Sequence, residues 1–321
     1  MRHHYSQLLS RLSTALGRES ARSELRWMMQ ALPDDAQRDT KLADMVSRRT
    51  SGEPLQYILG ECGRDQTSRV LLLPTRGTGT QPFGPLTLLT RPPVLIPRPE
   101  TEDWTIRLSE LVKPSPQKPV RLLDLCTGSG CIPLLLCKLW PQGSVRAYGV
   151  DIGAEAIQLA TENAALTGFD AHTEDTAATA NTVARNTFRV VQADMLAPDF
   201  VRTAGLRAPF DVITANPPYI PRREYDALPR SVRAFEDPRA LLGDPGPGHD
   251  AGDGLTFYRA LAHLLARDAP PLLAPGGVLA VEVGMGQAAR VARILQDAGG
   301  LARAQIWRDP WDVDRVVVAT R

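Results

Sequence analysis

The stretch Asp124-Leu125-Cys126-Thr127-Gly128-Ser129-Gly130 constrains this chain more than any other. It ends an apolar strand pattern at 121–125 and opens an apolar helix pattern at 131–139. In that setting a glycine cluster reads as the tight strand-to-helix turn of parallel α/β folds, where the backbone comes close to a ligand. The alternation continues, with a strand at 144–150, a helix at 155–166, and strands at 189–192, 211–215, 278–283, 304–307 and 313–319. Seven strands interleaved with helices predict an α/β, doubly wound, mostly parallel sheet.

The rest of the chain reads as two smaller units. Over 5–59 apolar residues recur at helical spacing, for instance Leu25, Met28, Met29 and Leu32, then Leu42, Met45 and Val46 after the break at Pro33-Asp34-Asp35. A small N-terminal helical domain over 1–60 follows from this pattern. Between 62 and 93 the texture turns to Gly, Pro and Thr with short apolar runs at 70–73 and 86–89, which predicts a hairpin-like connector over 61–97. A proline-rich loop at 113–119 then leads into the sheet of a third unit, 98–321. The Ala/Thr-rich stretch 170–187 has no apolar period and reads as an insertion. The Gly, Pro and Asp-dense stretch 245–254 reads as a loop.

Residues 1–18 carry three arginines, two histidines and no acid on an amphipathic background of Leu8, Leu9, Leu12 and Leu16. That is the composition of a mitochondrial transit segment and equally of a first amphipathic domain helix, so the location is mitochondrial on one reading and cytoplasmic on the other. No apolar run approaches the length needed to cross a bilayer, and no membrane role is expected. A net charge of +1 supplies no global basic field, which disfavours a dedicated nucleic-acid binder. Cys62, Cys126, Cys131 and Cys137 lack metal-ligand spacing and read as reduced thiols, so no metal is expected.

Asp151 stands about one β/α step beyond the glycine turn, at the end of the next strand, where a carboxylate takes both hydroxyls of a ribose. The turn and Asp151 together point to an adenosine-type ligand. Asp124, beside the turn, would repel a pyrophosphate and suit a cation, which favours S-adenosylmethionine over a dinucleotide. In Gln192-Ala193-Asp194-Met195, Asp194 is placed to meet the adenine amino group and Met195 the adenine face. Asp194 as a turn or N-cap residue and Met195 as plain core are the alternatives.

Asn216-Pro217-Pro218-Tyr219 follows the strand at 211–215, at the sheet edge where open α/β folds hold ligands. Methylating a planar nitrogen, in an amide or an aromatic amine, requires acceptors that aim the NH₂ group at the methyl donor. The Asn216 side-chain oxygen and the Pro217 carbonyl are such acceptors. Two prolines fix φ and offer no competing N–H, and Tyr219 can pack on the planar acceptor. An ordinary Asn-Pro-Pro turn is the structural alternative.

With these residues in view, the chain resembles the class I methyltransferases that methylate N5 of the glutamine in peptide chain release factors. Gly52-Glu53-Pro54-Leu55-Gln56-Tyr57-Ile58-Leu59-Gly60 is similar to that family's exit from its helical domain. Leu95-Ile96-Pro97-Arg98-Pro99-Glu100-Thr101-Glu102 is similar to its entry to the catalytic domain. Phe235-Glu236-Asp237-Pro238-Arg239-Ala240-Leu241, Asp253-Gly254-Leu255 and Trp307-Arg308-Asp309 also resemble family positions. Asn-Pro-Pro-Tyr occurs in adenine-N6 methyltransferases as well, so the 95–102 signature decides between protein and nucleic acid.

The resemblance implies a seven-stranded Rossmann-like methyltransferase sheet, S-adenosylmethionine as cofactor, and a release factor as partner gripped with help from the helical domain. It implies cofactor contacts at Cys126, Thr127, Gly128, Ser129, Gly130, Asp151 and Met195, and the substrate glutamine at Asn216 to Tyr219. Within the signature, Arg98 and Glu102 are expected to form an ion pair, Thr101 to reach the methionine part of the cofactor, and Pro99 to open a helix. Cys126 stands where the family usually has glycine, so a negative φ is expected there. Met195 replaces a common aromatic.

Overall fold

The computed structural model describes residues 2–59, 79–169, 185–244, 246, 252–266 and 270–321. The N-terminal unit holds α1 (Arg2–Leu16), α2 (Arg18–Ala31), α3 (Arg38–Thr50) and the short α4 (Leu55–Ile58). Leu8 and Leu12 lie four apart on one face of α1 and meet Leu25, Met28, Leu42, Met45, Val46 and Ile58 in one core. The segment with transit-like composition therefore also builds the first domain. The hydroxyl of Tyr57 donates to the Val94 carbonyl (2.7 Å) and that of Thr90 to the Gln56 carbonyl (2.8 Å). The described part of that motif, 52–59, is thus the seam between the helical unit and the connector.

The connector contains an antiparallel hairpin, β1 (Gly79–Phe83) and β2 (Leu86–Thr90). The expected strand at 86–89 is present as β2. The one at 70–73 lies outside the described residues, and β2 pairs instead with β1, which the periodicity did not single out. Phe83, Leu86 and Leu88 pack with Leu134, Leu135 and Trp104 on the catalytic domain, so the hairpin is an outer layer of that domain.

The catalytic unit opens with α5 (Pro99–Leu111), then runs β3 (Val120–Leu125), α6 (Cys131–Leu139), β4 (Val145–Asp151), α7 (Ala154–Thr167), β5 (Thr187–Gln192), α8 (Phe200–Thr203) and β6 (Phe210–Ala215). Two short helices follow, α9 (Arg222–Tyr225) and α10 (Arg230–Arg233), then α11 (Thr256–Leu265), β7 (Leu273–Glu282), α12 (Ala288–Asp297), β8 (Ala302–Arg308) and β9 (Asp314–Thr320). The sheet order is β5-β4-β3-β6-β7-β9-β8, parallel from β5 to β7, with β9 antiparallel to both its neighbours. The seven strands and their doubly wound order are as the alternation predicts. Successive residues serve opposite faces: Leu123, Ile213, Val281 and Val317 face one core, and Leu122, Val212, Ala280, Val316 and Val318 the other.

Two boundaries differ from the pattern reading. β5 begins at Thr187, inside the stretch read as insertion, because Asn186 is pinned at its entry. The Asn186 side-chain oxygen accepts from the Ser144 and Val145 N–H groups, and its amide nitrogen donates to the Cys137 and Trp140 carbonyls. Residues 170–184 of that stretch lie outside the described residues. β7 begins at Leu273, which already pairs with Phe210; the register then shifts across Gly276-Gly277 and the regular ladder to β6 resumes at Val212 and Val278.

Candidate active site

The carboxyl ends of β3, β4, β5 and β6 open on one cavity of about 510 Å³. Leu125, Cys126, Asp151, Gly153, Asp194, Met195, Asn216 and Pro218 line it from the sheet, and 93–95 and Asp237 to Ala240 close the opposite wall. Asp151 is held by two backbone donors, Gly128 N–H to Oδ2 and Gly153 N–H to Oδ1, both at 2.9 Å. Each oxygen keeps a lone pair for a ligand hydroxyl. Burial pushes this carboxyl up while the two N–H groups hold it back. Met195 spans core and cavity, with the Cys126 Sγ at 3.6 Å from its sulfur. Asp194 makes the turn weighed for it, Oδ1 accepting from the Leu196 N–H (2.8 Å), and it also lines the cavity.

The glycine turn supports the cavity from beneath. Cys126 has φ +57°, against the expectation of a negative value. The turn needs a left-handed residue at that point for the chain to leave β3 and return into α6, and the side chain bears the strain, roughly 1 to 2 kcal/mol. Gly128 and Gly130 are also left-handed. Asp124, expected at the ligand, is fully buried, and its oxygens accept from the Thr127 and Thr214 hydroxyls at 2.6 Å. Burial raises its carboxyl to about 7. Asp124 thus staples the turn to β6 instead of projecting charge at a ligand, and Thr127 and Ser129 are likewise buried. The preference for a cation is carried in its place by the cavity wall, where Asp151, Glu155, Asp194 and Asp237 face Arg222 and Arg239. An acidic, half-enclosed cavity with a ribose-type carboxylate fits S-adenosylmethionine.

Asn216 leaves β6 into this cavity with Pro218, while Pro217 is buried. The Tyr219 carbonyl accepts from Gln287 Nε2 (2.9 Å), and burial raises the Tyr219 phenol. The Gln287 amide also donates to the Asp253 carbonyl and its Oε1 accepts from the Gly284 N–H. Gly254, at φ +71°, lies so close that a Cβ there would sit 2.2 Å from the Tyr219 carbonyl oxygen. Asp253-Gly254-Leu255 is therefore the platform under the acceptor loop. Ile220 N–H donates to the Leu241 carbonyl and Gly243 N–H to the Ile220 carbonyl, which straps the 235–241 stretch along the same loop.

The expected Arg98–Glu102 ion pair does not form. Arg98 Nη2 reaches across to both oxygens of Glu236 at 2.8 and 2.7 Å, since Glu236 is buried and Glu102 lies in the first turn of α5. Thr101 is buried and does not line the cavity; its hydroxyl meets Glu282 and stands 3.5 Å from the amide of the cavity-lining Asn216. Arg222, Arg239, Asp237 and Phe257 were not singled out from the sequence. Only the resemblance at 235–241 carried a signal for Asp237 and Arg239.

Two family descriptions match the chain, the PrmC N-terminal domain over residues 12–60 and N-6 DNA Methylase over 105–238. Curated release factor glutamine methyltransferases match most of its length. That of Geobacter sulfurreducens is 34% identical over 316 residues, covering 94% of this chain and 90% of that protein. That of Rhodospirillum rubrum is 34% identical over 289 residues, covering 90% and 70%. That of Thermodesulfovibrio yellowstonii is 31% identical over 277 residues, covering 86% and 80%. At this identity over most of both chains, and with the N-terminal match in place, the chain belongs to the release factor glutamine methyltransferase family.

Proposed function

We propose that this enzyme transfers the methyl group of S-adenosylmethionine to the side-chain amide nitrogen of the glutamine in the Gly-Gly-Gln loop of a peptide chain release factor. The observation that carries the reading is Asn216, delivered by β6 into the cavity that holds Asp151. S-adenosylmethionine supplies a sulfonium methyl as electrophile. Asn216 Oδ1 and the Pro217 carbonyl accept the two amide protons and aim the nitrogen lone pair, and positive charge that grows on nitrogen meets oxygen dipoles. The prolines leave no N–H to compete. Methyl transfer ends with loss of a proton from nitrogen to water, so no strong base is required of the protein.

The N-6 DNA Methylase match over 105–238 favours a second reading, an adenine amino group in DNA or RNA, which the acceptor loop serves by the same chemistry. The helical unit, matched to the PrmC N-terminal domain, and the absence of a basic surplus favour the protein substrate. Incubation with labelled S-adenosylmethionine and a release factor, its Gln→Ala loop variant or an oligonucleotide separates the two. Label on the unaltered factor alone is expected. Label on nucleic acid or on the altered factor overturns the reading.

We further propose a mitochondrial location, on the arginine-bearing, acid-free composition of residues 1–18. Leu8 and Leu12 belong to the helical core, so the segment is expected to stay on the mature protein. Microscopy of fusions with and without 1–18 tests this, and an unchanged location overturns it.

A further inference from the structure

Beneath the acceptor loop lies a buried polar chain that the transfer chemistry above does not use. Glu282 ends β7 with its side chain enclosed, 2% exposed. Its Oε2 accepts from the Thr101 hydroxyl (2.7 Å) and from the Trp104 indole N–H (2.8 Å), both on α5. The Tyr258 hydroxyl donates to the Glu282 main-chain carbonyl (2.8 Å) and locks the strand end. Thr101 Oγ1 in turn stands 3.5 Å from Asn216 Nδ2.

The polarity of this chain runs one way. An indole N–H can only donate, so the oxygen it meets must accept. The Thr101 proton goes to that same oxygen, which therefore carries no proton of its own whether or not the carboxyl is ionised. With its proton committed, Thr101 Oγ1 has only lone pairs to offer Asn216, and only the NH₂ end of the Asn216 amide can use them. The amide oxygen is then left to the cavity, where the acceptor nitrogen must find it. Without Glu282, the Thr101 hydroxyl is free to donate, and the favourable partner becomes Asn216 Oδ1. That flip would present an NH₂ group to the substrate NH₂, two donors face to face.

We propose that Glu282 is a positioning residue for methyl transfer, acting through Thr101 to fix which end of the Asn216 amide faces the acceptor nitrogen. The inference rests on Asn216 being the acceptor contact, so Asn216→Ala is measured alongside. Transfer rates to the release factor, S-adenosylmethionine affinity and melting temperature are compared for Glu282→Met, Thr101→Val and the double variant. Each single change is expected to lower kcat about 10- to 100-fold, the scale of a misaimed reacting group, with cofactor affinity and KM within about threefold of the parent by the same logic of a group that acts on geometry alone. The double variant is expected to lose no more than the worse single, because both break one chain.

Glu282→Gln and Thr101→Ser keep an acceptor for the indole and a hydroxyl for Asn216, and are expected to recover most of the lost rate. A purely structural role would lower stability and cofactor affinity together and would not distinguish Gln from Met. If Glu282→Met fails to fold, Thr101→Val decides, since it removes the hydroxyl at nearly constant volume. Full activity in Thr101→Val with a dead Asn216→Ala overturns this inference alone. Full activity in Asn216→Ala overturns the functional reading itself.

Discussion

Arg98→Ala tests how the connector is fixed to the wall of the cavity. Glu236 is 2% exposed and takes both its charged hydrogen bonds from one guanidinium nitrogen, at 2.8 and 2.7 Å. Removing the cation strands a buried carboxylate, which costs about 3 to 5 kcal/mol; Arg98 is itself one-third open to water, which argues for the lower end, about 3 kcal/mol. At roughly 2 to 4 °C per kcal/mol for a domain of this size, the melting temperature should fall by about 6 to 12 °C.

The deficit should depend on pH in a defined direction. Burial already raises the Glu236 carboxyl above its ordinary value of 4.5, and loss of Arg98 raises it further. A carboxyl with a raised folded pKa binds its proton more tightly when folded. Its burden is therefore full above the folded pKa and relieved as pH falls toward the unfolded value. Denaturant unfolding of parent and variant at pH 8 and pH 5 measures it, with the smaller difference expected at pH 5. Arg98→Ala combined with Glu236→Gln should recover much of the loss, since the stranded charge is gone. An equal deficit at both pH values, or no recovery in the double variant, refutes the reasoning.

Asp151→Asn leaves one acceptor oxygen where two are held, and at about 1.5 to 3 kcal/mol for hydrogen bonds to a charged group the dissociation constant for S-adenosylmethionine should rise roughly 10- to 100-fold by calorimetry. Unchanged affinity would remove Asp151 from the ribose site. Gly254→Ala places a Cβ 2.2 Å from the Tyr219 carbonyl oxygen at a φ of +71°, so the acceptor loop must move; kcat should fall at least about tenfold while calorimetric cofactor affinity holds. The Arg259 guanidinium, aided by Arg290, holds the Asp253 carboxyl at about 2, so this pair stabilises above the ordinary value of 3.8 and is lost as pH falls toward about 2. Asp253→Asn should flatten the stability curve in that window, read by acid titration of the far-ultraviolet dichroism.

Strand and helix identity was legible in the catalytic unit because its strands are buried on both faces and read as apolar runs between turn residues. The 121–125 and 211–215 patterns fall inside β3 and β6 for this reason. The hairpin partner β1 was not legible: Gly79-Thr80-Gln81-Pro82-Phe83 buries little beyond its ends, and its place is set by β2 and by the close approach of Gly79 to the Gln56 carbonyl. Cys126 misled for a related reason. A turn's φ is fixed by where the chain must go next, and a non-glycine residue accepts strain when the elements on either side are buried.

The site divides along the same line. Asp151, Met195 and Asn216 were legible because each sits at or within three residues of a strand end, where local sequence and sheet edge coincide. What orients them was not, because the partners are brought together only by the fold: Thr101 meets Glu282 across 181 positions, and Arg98 meets Glu236 across 138. In the 95–102 signature, Arg98 looked like a partner for its near neighbour Glu102, yet its guanidinium pairs with the buried Glu236. Thr101, which the resemblance places near the cofactor, is buried with its hydroxyl donating to Glu282 and its oxygen 3.5 Å from Asn216 Nδ2. The 95–102 stretch is therefore scaffold around the site. Arg98 fastens the wall at Glu236, and Thr101 joins α5 to the end of β7. The second of these reaches the acceptor loop, through the 3.5 Å approach of Thr101 Oγ1 to Asn216 Nδ2.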